Sequence, residues 1–278
     1  MDITILIKTN DRYVCLNRLL KSIFKFYPNI KVMIADDGKI KYKEKILKKY
    51  AKYDIDYYCL KNDSGLSKGR NFLLNKTKTK HFLLCDDDFV FDKKTNIELC
   101  LEKIKEKKLD ILGGYIRNYK IITNFKDKII LFIQKILRYE LPTNYIGNIK
   151  VDGAVFKANY FIHSFPSYQK TDIVLNFFIA KTESVKAMGG WDDQLKLQEH
   201  TEFFYRAKLN KLKVGFINSF SVKHMPIKMG EYKKARERDF TSLFMKKYGF
   251  EKMIFNYDEK SRNTIITMDE KGKIIRNK

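Results

Sequence analysis

"HFLLCDDDFVF" (His81–Phe91) runs from an apolar stretch into three consecutive carboxylates and straight back into apolar residues. The surrounding chain carries a formal net charge of +23, from 56 lysines and arginines against 33 aspartates and glutamates. Two like charges about 4 Å apart repel by ~1 kcal/mol in water and by ~4 kcal/mol at an effective dielectric of 20. Asp86-Asp87-Asp88 therefore calls for a cation. Phe82-Leu83-Leu84-Cys85 reads as a buried strand, and the acids stand at its carboxyl end. Upstream, "ITILIKTN" and "IKVMIADDG" are two more short apolar runs ending in polar residues, and "IDYYCL" is a third. Between them, "YVCLNRLLKSIFKFYP" places Val14, Leu16, Leu19, Leu20, Ile23 and Phe24 at helical spacing, with Pro28 as a stop. "KEKILKKYAKY" and "GLSKGRNFLLNKT" read as further helices. Strand and helix thus alternate over the first ninety residues, which predicts an α/β fold with a mainly parallel sheet covered on both faces.

In such sheets ligands bind at the carboxyl ends of the strands. Four polar clusters fall there: Thr9-Asn10, Asp36-Asp37, Asn62-Asp63-Ser64-Gly65 and Asp86-Asp87-Asp88. Any single cluster is explained by turn chemistry; four in succession point to a site. Asp86 and Asp88 are two residues apart, and in an extended chain they start ~6.6 Å apart on one face. Carboxylates so placed suit Mg²⁺ or Mn²⁺ together with a ligand's phosphates.

Farther along, "TNIELCLEKIKEKKLD" predicts an amphipathic helix and "ILGGYIR" a strand broken at Gly113-Gly114, where a ligand or another backbone comes close. "KDKIILFIQKILRYEL" is apolar on nearly all sides at helical length, to be buried or to lie on a membrane. Residues 140 to 172 mix strands and loops. "NFFIAKTESVKAMGGWDDQLKLQEHTEFFYRAKLNKL" returns to strand, loop and helix, and "KVGFINSFSVKHMP" follows as strands. Past residue 231 a charged helix to about 247 and a hairpin are expected.

Hydrophobic content of 44% excludes a disordered chain. Four scattered cysteines without a CxxC pair (Cys15, Cys59, Cys85, Cys100) read as reduced thiols. No secretory leader pattern or membrane-length segment is seen. The chain is expected to be cytoplasmic, with room for peripheral contact between its lysines and the anionic inner face of a membrane. Zinc-finger spacing, an RNP-like aromatic motif and a bZIP pattern are all missing, so nucleic acid is not an expected partner.

"IADDG", "GLSKGRN", "FLLCDDDFVF" and "GGWDDQLKLQEHTEFFYR" resemble the GT-A glycosyltransferases of the family 2 type. Together with "LDILGG", "LNFFIAKTESV" and "HTEFF", in the same order, they are similar to β1,4-N-acetylgalactosaminyltransferases of the ganglioside-synthase type. The similarity runs from about residue 30 to 226. It implies a GT-A, Rossmann-like domain over 1–230, with 1–115 as the nucleotide-sugar half and 116–230 as the acceptor-side half, and a basic extension over 231–278.

The resemblance also implies roles. Thr9, Asn10 and Asp36 would contact the uridine, with Asp37, Gly65 and Arg70 near the nucleotide and the Arg70 guanidinium suited to a diphosphate or a carboxylate. Asp86 would lie by the ribose and Asp88 on Mn²⁺ (or Mg²⁺), with His224 of "SVKHMP" completing the metal shell. Asp87, also in the nucleotide cluster, points the other way, as a structural hydrogen-bond acceptor would. Inverting transfer needs a base, and "LQEHTEFFYR" offers Glu202 first, Glu199 second and His200 as the departure from the usual Glu-Asp pair; an acidic first helical turn is the plainer alternative. Trp191 would stack on a sugar or fill the core. The implied reaction moves a hexosamine, GalNAc from UDP-GalNAc, onto an oligosaccharide or glycolipid acceptor in surface-glycan synthesis. Another UDP-hexose (Gal, Glc or GlcNAc) and a non-catalytic polyanion binder are the alternatives.

Overall fold

The computed structural model describes residues 1–119, 145–161, 166–195, 199–226, 240–257, 262–269 and 274–277. The expected alternation is there: β1 (Ile3–Thr9), α1 (Tyr13–Phe26), β2 (Lys31–Asp36), α2 (Lys43–Lys49), β3 (Ile55–Cys59), α3 (Leu66–Lys76) and β4 (His81–Asp86). β1 lies between β2 and β4, parallel to both, and β3 is parallel to β2. Each strand alternates between two cores, because side chains two apart share a face. Ile3, Ile5 and Ile7 of β1, with Leu83 and Cys85 of β4, pack with α1; Leu6, Phe82 and Leu84 face the other way.

Beyond β4 come β5 (Phe89–Val90), α4 (Ile97–Glu106), β6 (Ile111–Asn118), β7 (Ile146–Asp152), β8 (Val155–Phe161), β9 (Tyr168–Thr171) and β10 (Phe178–Lys181). Then follow α5 (Thr182–Ala187), α6 (Glu199–Leu209) and β11 (Val214–His224). The larger sheet has the order β3-β2-β1-β4-β10-β6-β11-β5, with β9 against β11. β10 is wedged antiparallel between β4 and β6, so the sheet is mixed, as expected.

β6 is continuous, not broken at its glycines. A Cβ at Gly113 would stand 2.4 Å from Val174, and one at Gly114 2.4 Å from the Phe220 carbonyl; the expected close approach is made by protein. The expected strands of 213–226 are one long strand whose pairing with β6 shifts register between Ile217 and Ser221. The apolar stretch 126–141 lies outside the described residues. Among the described residues no helix is long and apolar enough to cross a membrane. All four cysteines are free; Cys15, Cys85 and Cys100 are buried and Cys59 is exposed.

A second sheet, β14-β13-β12-β8-β7, is completed by α7 (Thr241–Tyr248), β12 (Lys252–Tyr257), β13 (Arg262–Met268) and β14 (Ile274–Asn277). The tail is built into the rest of the chain: β12 runs parallel to β8, and Phe244, Met245 and Phe250 share a core with Phe156 and Tyr205. Phe156 is fully buried and meets the rings of Tyr205, Phe244, Phe250 and Phe255 at 5.5 to 6.2 Å.

Candidate active site

A cleft of about 300 Å³ opens at the carboxyl ends of β1 and β4, lined by Lys8, Thr9, Asn10, Arg12, Leu66, Arg70, Asp86–Asp88, Asn176, Glu199 and His224. The strand registers put its floor together. Lys8 pairs with Asp86 across β1 and β4, so both polar ends finish level. β5 follows the acids, and its pairing with β11 sets His224 opposite Phe89, one residue past Asp88. α6 presents Glu199 in its first turn, where a carboxylate also meets the positive end of the helix.

The three acids face different ways. β4 ends at Asp86 and a turn takes over at 87–88, so the extended spacing that would set Asp86 and Asp88 on one face does not hold. The turn separates them. Asp86 keeps the face of Phe82 and Leu84 and opens into the cleft, with Arg70 Nη2 at 3.4 Å. Its environment raises the Asp86 pKa, through burial opposed by Arg70 and reinforced by Asp88.

Arg12 is the cation that the acidic run demanded. Its guanidinium spans Asp87 Oδ1 and Asp88 Oδ2, both at 2.7 Å. Thr9 Oγ1 donates to the other oxygen of Asp87 at 2.7 Å. Burial lifts the Asp87 carboxyl to about 7 against the pull of Arg12. Burial acts on Asp88 too, but His224 and Arg12 outweigh it and hold that carboxyl at about 2. Asp87 is engaged by Arg12 and Thr9; Arg12 carried no motif of its own, only its place just after a strand-end cluster.

His224 Nδ1 lies 2.7 Å from Asn118 Oδ1, and its Nε2 lies 3.3 Å from Asp88 Oδ2. An amide oxygen only accepts, so the ring's Nδ1 carries a proton toward Asn118. A proton on Nε2 makes the ring a donor to Asp88; without it the Nε2 lone pair faces a carboxylate, and a cation between the two would satisfy both. A divalent cation fits that donor pair, imidazole and carboxylate with the imidazole's far nitrogen fixed by an outer partner. Asp86 is turned toward Arg70 instead. Among the described residues no three His, Cys, Asp or Glu side chains converge on one point, so a cation here would draw further ligands from solvent or a phosphate.

The expected nucleotide residues divide. Thr9 and Asn10 line the cleft. Asp36 does not: it is fully buried, accepting from Gly38 N–H at 2.9 Å and Tyr57 Oη at 2.7 Å. Asp37 also stays off the lining, saturated by the Lys8 ammonium, Asn10 Nδ2 and Gly65 N–H. Burial lowers the Lys8 pKa, with Asp37 opposing. Gly65 holds φ of 91°, a left-handed conformation that glycine permits at the start of α3. Both aspartates support the loop from beneath.

Arg70 is 1% exposed and does not point at free space. Its Nη1 meets Glu199 Oε1 at 2.9 Å, its Nη2 meets Asp86, and its guanidinium lies 5.7 Å from the Trp191 ring centroid. Of the two readings for Arg70, diphosphate or carboxylate, its contacts are carboxylates. Trp191 is core, 2% exposed and stacked on Phe203 at 4.7 Å.

Among the candidate bases, only Glu199 lines the cleft. Glu202, the first expectation, lies one helical turn on and is wholly buried. Arg206 binds both its oxygens at 2.6 and 2.9 Å, while Lys247 and Tyr248 of α7 reach Oε1 at 3.0 and 2.7 Å. Its capacity is spent on tying α6 to α7, which corrects that expectation. His200 sits behind the cleft, its Nδ1 2.8 Å from Asn176 Oδ1. Burial, with Arg70 nearby, lowers the His200 pKa to about 3, so the imidazole is neutral near pH 7.

A family profile described as "Glycosyl transferase family 2" matches residues 4–164. The human protein named beta-1,4 N-acetylgalactosaminyltransferase 1 is 32% identical over 222 residues, 80% of this chain and 38% of that protein. Mouse beta-1,4 N-acetylgalactosaminyltransferase 2 is 33% identical over 223 residues, again 80% of this chain and 39% of the relative. The chain thus spans about two fifths of the length of the curated relatives it matches. Among solved structures, residues 1–349 of S. aureus TarS superpose with a TM-score of 0.55 at 17% identity, covering 81% of this chain and 60% of that one. GalNAc-T7, solved with UDP, GalNAc and Mn²⁺, gives 0.57 at 14% identity, covering 81% and 44%. These likenesses carry the GT-A fold.

Proposed function

The chain belongs to glycosyl transferase family 2, and from that premise we propose that it is an inverting glycosyltransferase that moves a hexosamine, GalNAc from UDP-GalNAc, onto a carbohydrate acceptor. The observation that carries this reading is the cleft itself: Asp86 and Asp88 at the end of β4, faced by Glu199 and floored by Arg12 and Arg70. The named activity of the relatives supports the hexosamine, and UDP in two fold neighbours supports the nucleotide. An oligosaccharide or glycolipid of a surface glycan is the acceptor class in this reading.

In this mechanism the uridine end lies over Thr9 and Asn10 at the tip of β1. Asp37 anchors that tip through Lys8 and Asn10. Asp88 and His224 would hold the divalent cation, Asn118 orienting the imidazole. When bound there, Mn²⁺ or Mg²⁺ offsets the negative charge of a nucleoside diphosphate. Glu199 takes the proton of the acceptor hydroxyl as that oxygen attacks the anomeric carbon, and the bond from that carbon to the diphosphate oxygen breaks to release UDP. Arg70 fixes the carboxylate through one oxygen and ties it to Asp86, which keeps base and donor side in register. Trp191 backs the guanidinium.

The test is hydrolysis of UDP-sugars with and without Mn²⁺, because slow transfer to water needs no acceptor. UDP-GalNAc hydrolysis that depends on Mn²⁺ is the expected result. Preference for UDP-Gal, UDP-Glc or UDP-GlcNAc would change the donor but keep the reaction; no hydrolysis and no UDP binding would overturn it.

A further inference from the structure

Asn176 lies in the "LNFFIAKTESV" block but was given no role there, yet it lines the cleft. It stands two residues before β10, whose antiparallel register pairs Phe178 with Leu84. A bend leaves Asn176 just outside that pairing, and its side chain joins Asp86 and Glu199 in the cleft lining, with His200 of α6 at its oxygen.

Its amide is oriented from behind. His200 Nδ1 lies 2.8 Å from Asn176 Oδ1; among the described residues its buried Nε2 has no hydrogen-bond partner, and the Val174 backbone also acts on the ring. An amide oxygen only accepts, so the neutral ring carries its proton on Nδ1 and donates it to the Asn176 oxygen. That contact fixes the amide's rotation. Its NH₂ group, which makes no hydrogen bond among the described residues, is then left to the cleft.

We infer that Asn176 is a specificity-determining residue whose amide donates to an oxygen of the transferred sugar, and that His200 is the positioning residue holding that amide in its donor orientation. The inference rests on the glycosyltransferase reading of the cleft. Its position supports the sugar over the nucleotide: the uridine residues are at the tip of β1, on one side of β4, whereas β10 is on the other. The other cleft donors, Arg12 and Arg70, are engaged with carboxylates. A neutral amide suits a hydroxyl or an N-acetyl carbonyl.

The experiment is calorimetric titration of the full chain with UDP and with UDP-GalNAc in the presence of Mn²⁺. Asn176→Asp keeps shape and the bond from His200 but removes the donor; Asn176→Ala removes both. Both should bind UDP within about twofold of wild type and lose about tenfold in UDP-GalNAc affinity, the size of one hydrogen bond. His200→Asn keeps an N–H near Nδ1 and should retain UDP-GalNAc affinity; His200→Leu should lose it about as Asn176→Ala does, with UDP affinity kept. Unchanged UDP-GalNAc affinity in both Asn176 variants overturns the inference alone. So does loss of UDP affinity in both, which would make the residue a support for the fold or the nucleotide. A wild-type chain that binds neither compound overturns the glycosyltransferase reading as well.

Discussion

Two glutamates three residues apart on one helix have opposite duties. Glu199 faces the cleft and shares one oxygen with Arg70; Glu202 is enclosed by Arg206, Lys247 and Tyr248. Glu199→Gln should lower transfer about 100- to 10,000-fold, the usual reach of a general base, with UDP affinity and urea midpoint near wild type. Glu202→Gln should do the reverse: about 3 kcal/mol less stable, because the cations gathered on a buried carboxylate lose their partner, with kcat per folded molecule kept. Urea titration beside steady-state transfer separates the two. His200 makes a pH prediction. Its folded pKa of about 3 lies below the ordinary histidine value of 6.5, so between those limits the unfolded chain holds the extra proton. Stability from keeping the ring neutral is full above about pH 6.5 and is lost as pH falls toward 3. From pH 7 to pH 5 the loss is about 2 kcal/mol at 1.36 kcal/mol per unit. Urea midpoints of His200→Asn should fall less over that interval than those of wild type.

Much of the site was legible residue by residue, and the misreadings share a cause. The acids at the end of β4, His224 and Glu199 were all visible as polar groups at the ends of apolar runs. Asp36 and Glu202 looked the same in sequence. What separates them is partners supplied from far along the chain: Tyr57 for Asp36, and Lys247 and Tyr248 for Glu202. Asn176 sat inside the "LNFFIAKTESV" block without a role, because an amide before a strand shows no chemistry of its own, and only His200, 24 residues on, gives it a direction.

At the scale of elements, the turn between α5 and α6 works as a fitting for α3. Asn71 Nδ2 donates to the Trp191 carbonyl at 2.6 Å and to Asp193 Oδ1 at 2.7 Å, and its Oδ1 accepts from Trp191 N–H at 2.7 Å. Gly190, at φ of 64°, fits beneath: a Cβ there would stand 2.3 Å from Asn71 Oδ1. This is how the tryptophan is brought under Arg70. Asn71→Ala leaves a buried N–H and C=O without partners, which costs about 1–3 kcal/mol for each group left unsatisfied. Because Arg70 loses its backing, kcat should fall more than UDP affinity, a split that stopped-flow and calorimetry can read. Elements themselves were easy to anticipate where period and length agreed, as in β1 through β4. The turn at Asp87-Asp88 was not, since three acids in a row fit a strand end and a turn equally well.

For the whole molecule, the parallel half follows from the strand–helix alternation, while the antiparallel wedge of β10 and the five-stranded second sheet do not. Their pairings join segments about a hundred residues apart, as β12 with β8, and no local pattern encodes such a partner. The charge of +23 is a property of the whole surface. A field of that sign draws a nucleotide diphosphate toward the cleft, so kcat/KM for a UDP-sugar should drop several-fold between low and physiological salt while kcat stays nearly level. A flat kcat/KM would show that the lysines do not steer the substrate.

The parallel seam between β8 and β12 also sets a timetable for synthesis. On the ribosome, β1 through β4 can pair as soon as β4 has emerged. Phe156 and its hairpin, by contrast, must wait with an uncovered greasy face until the segment from α7 through β13 has been translated. Slow codons or a stalled nascent chain in that interval would leave a half-finished enzyme that chaperones must hold.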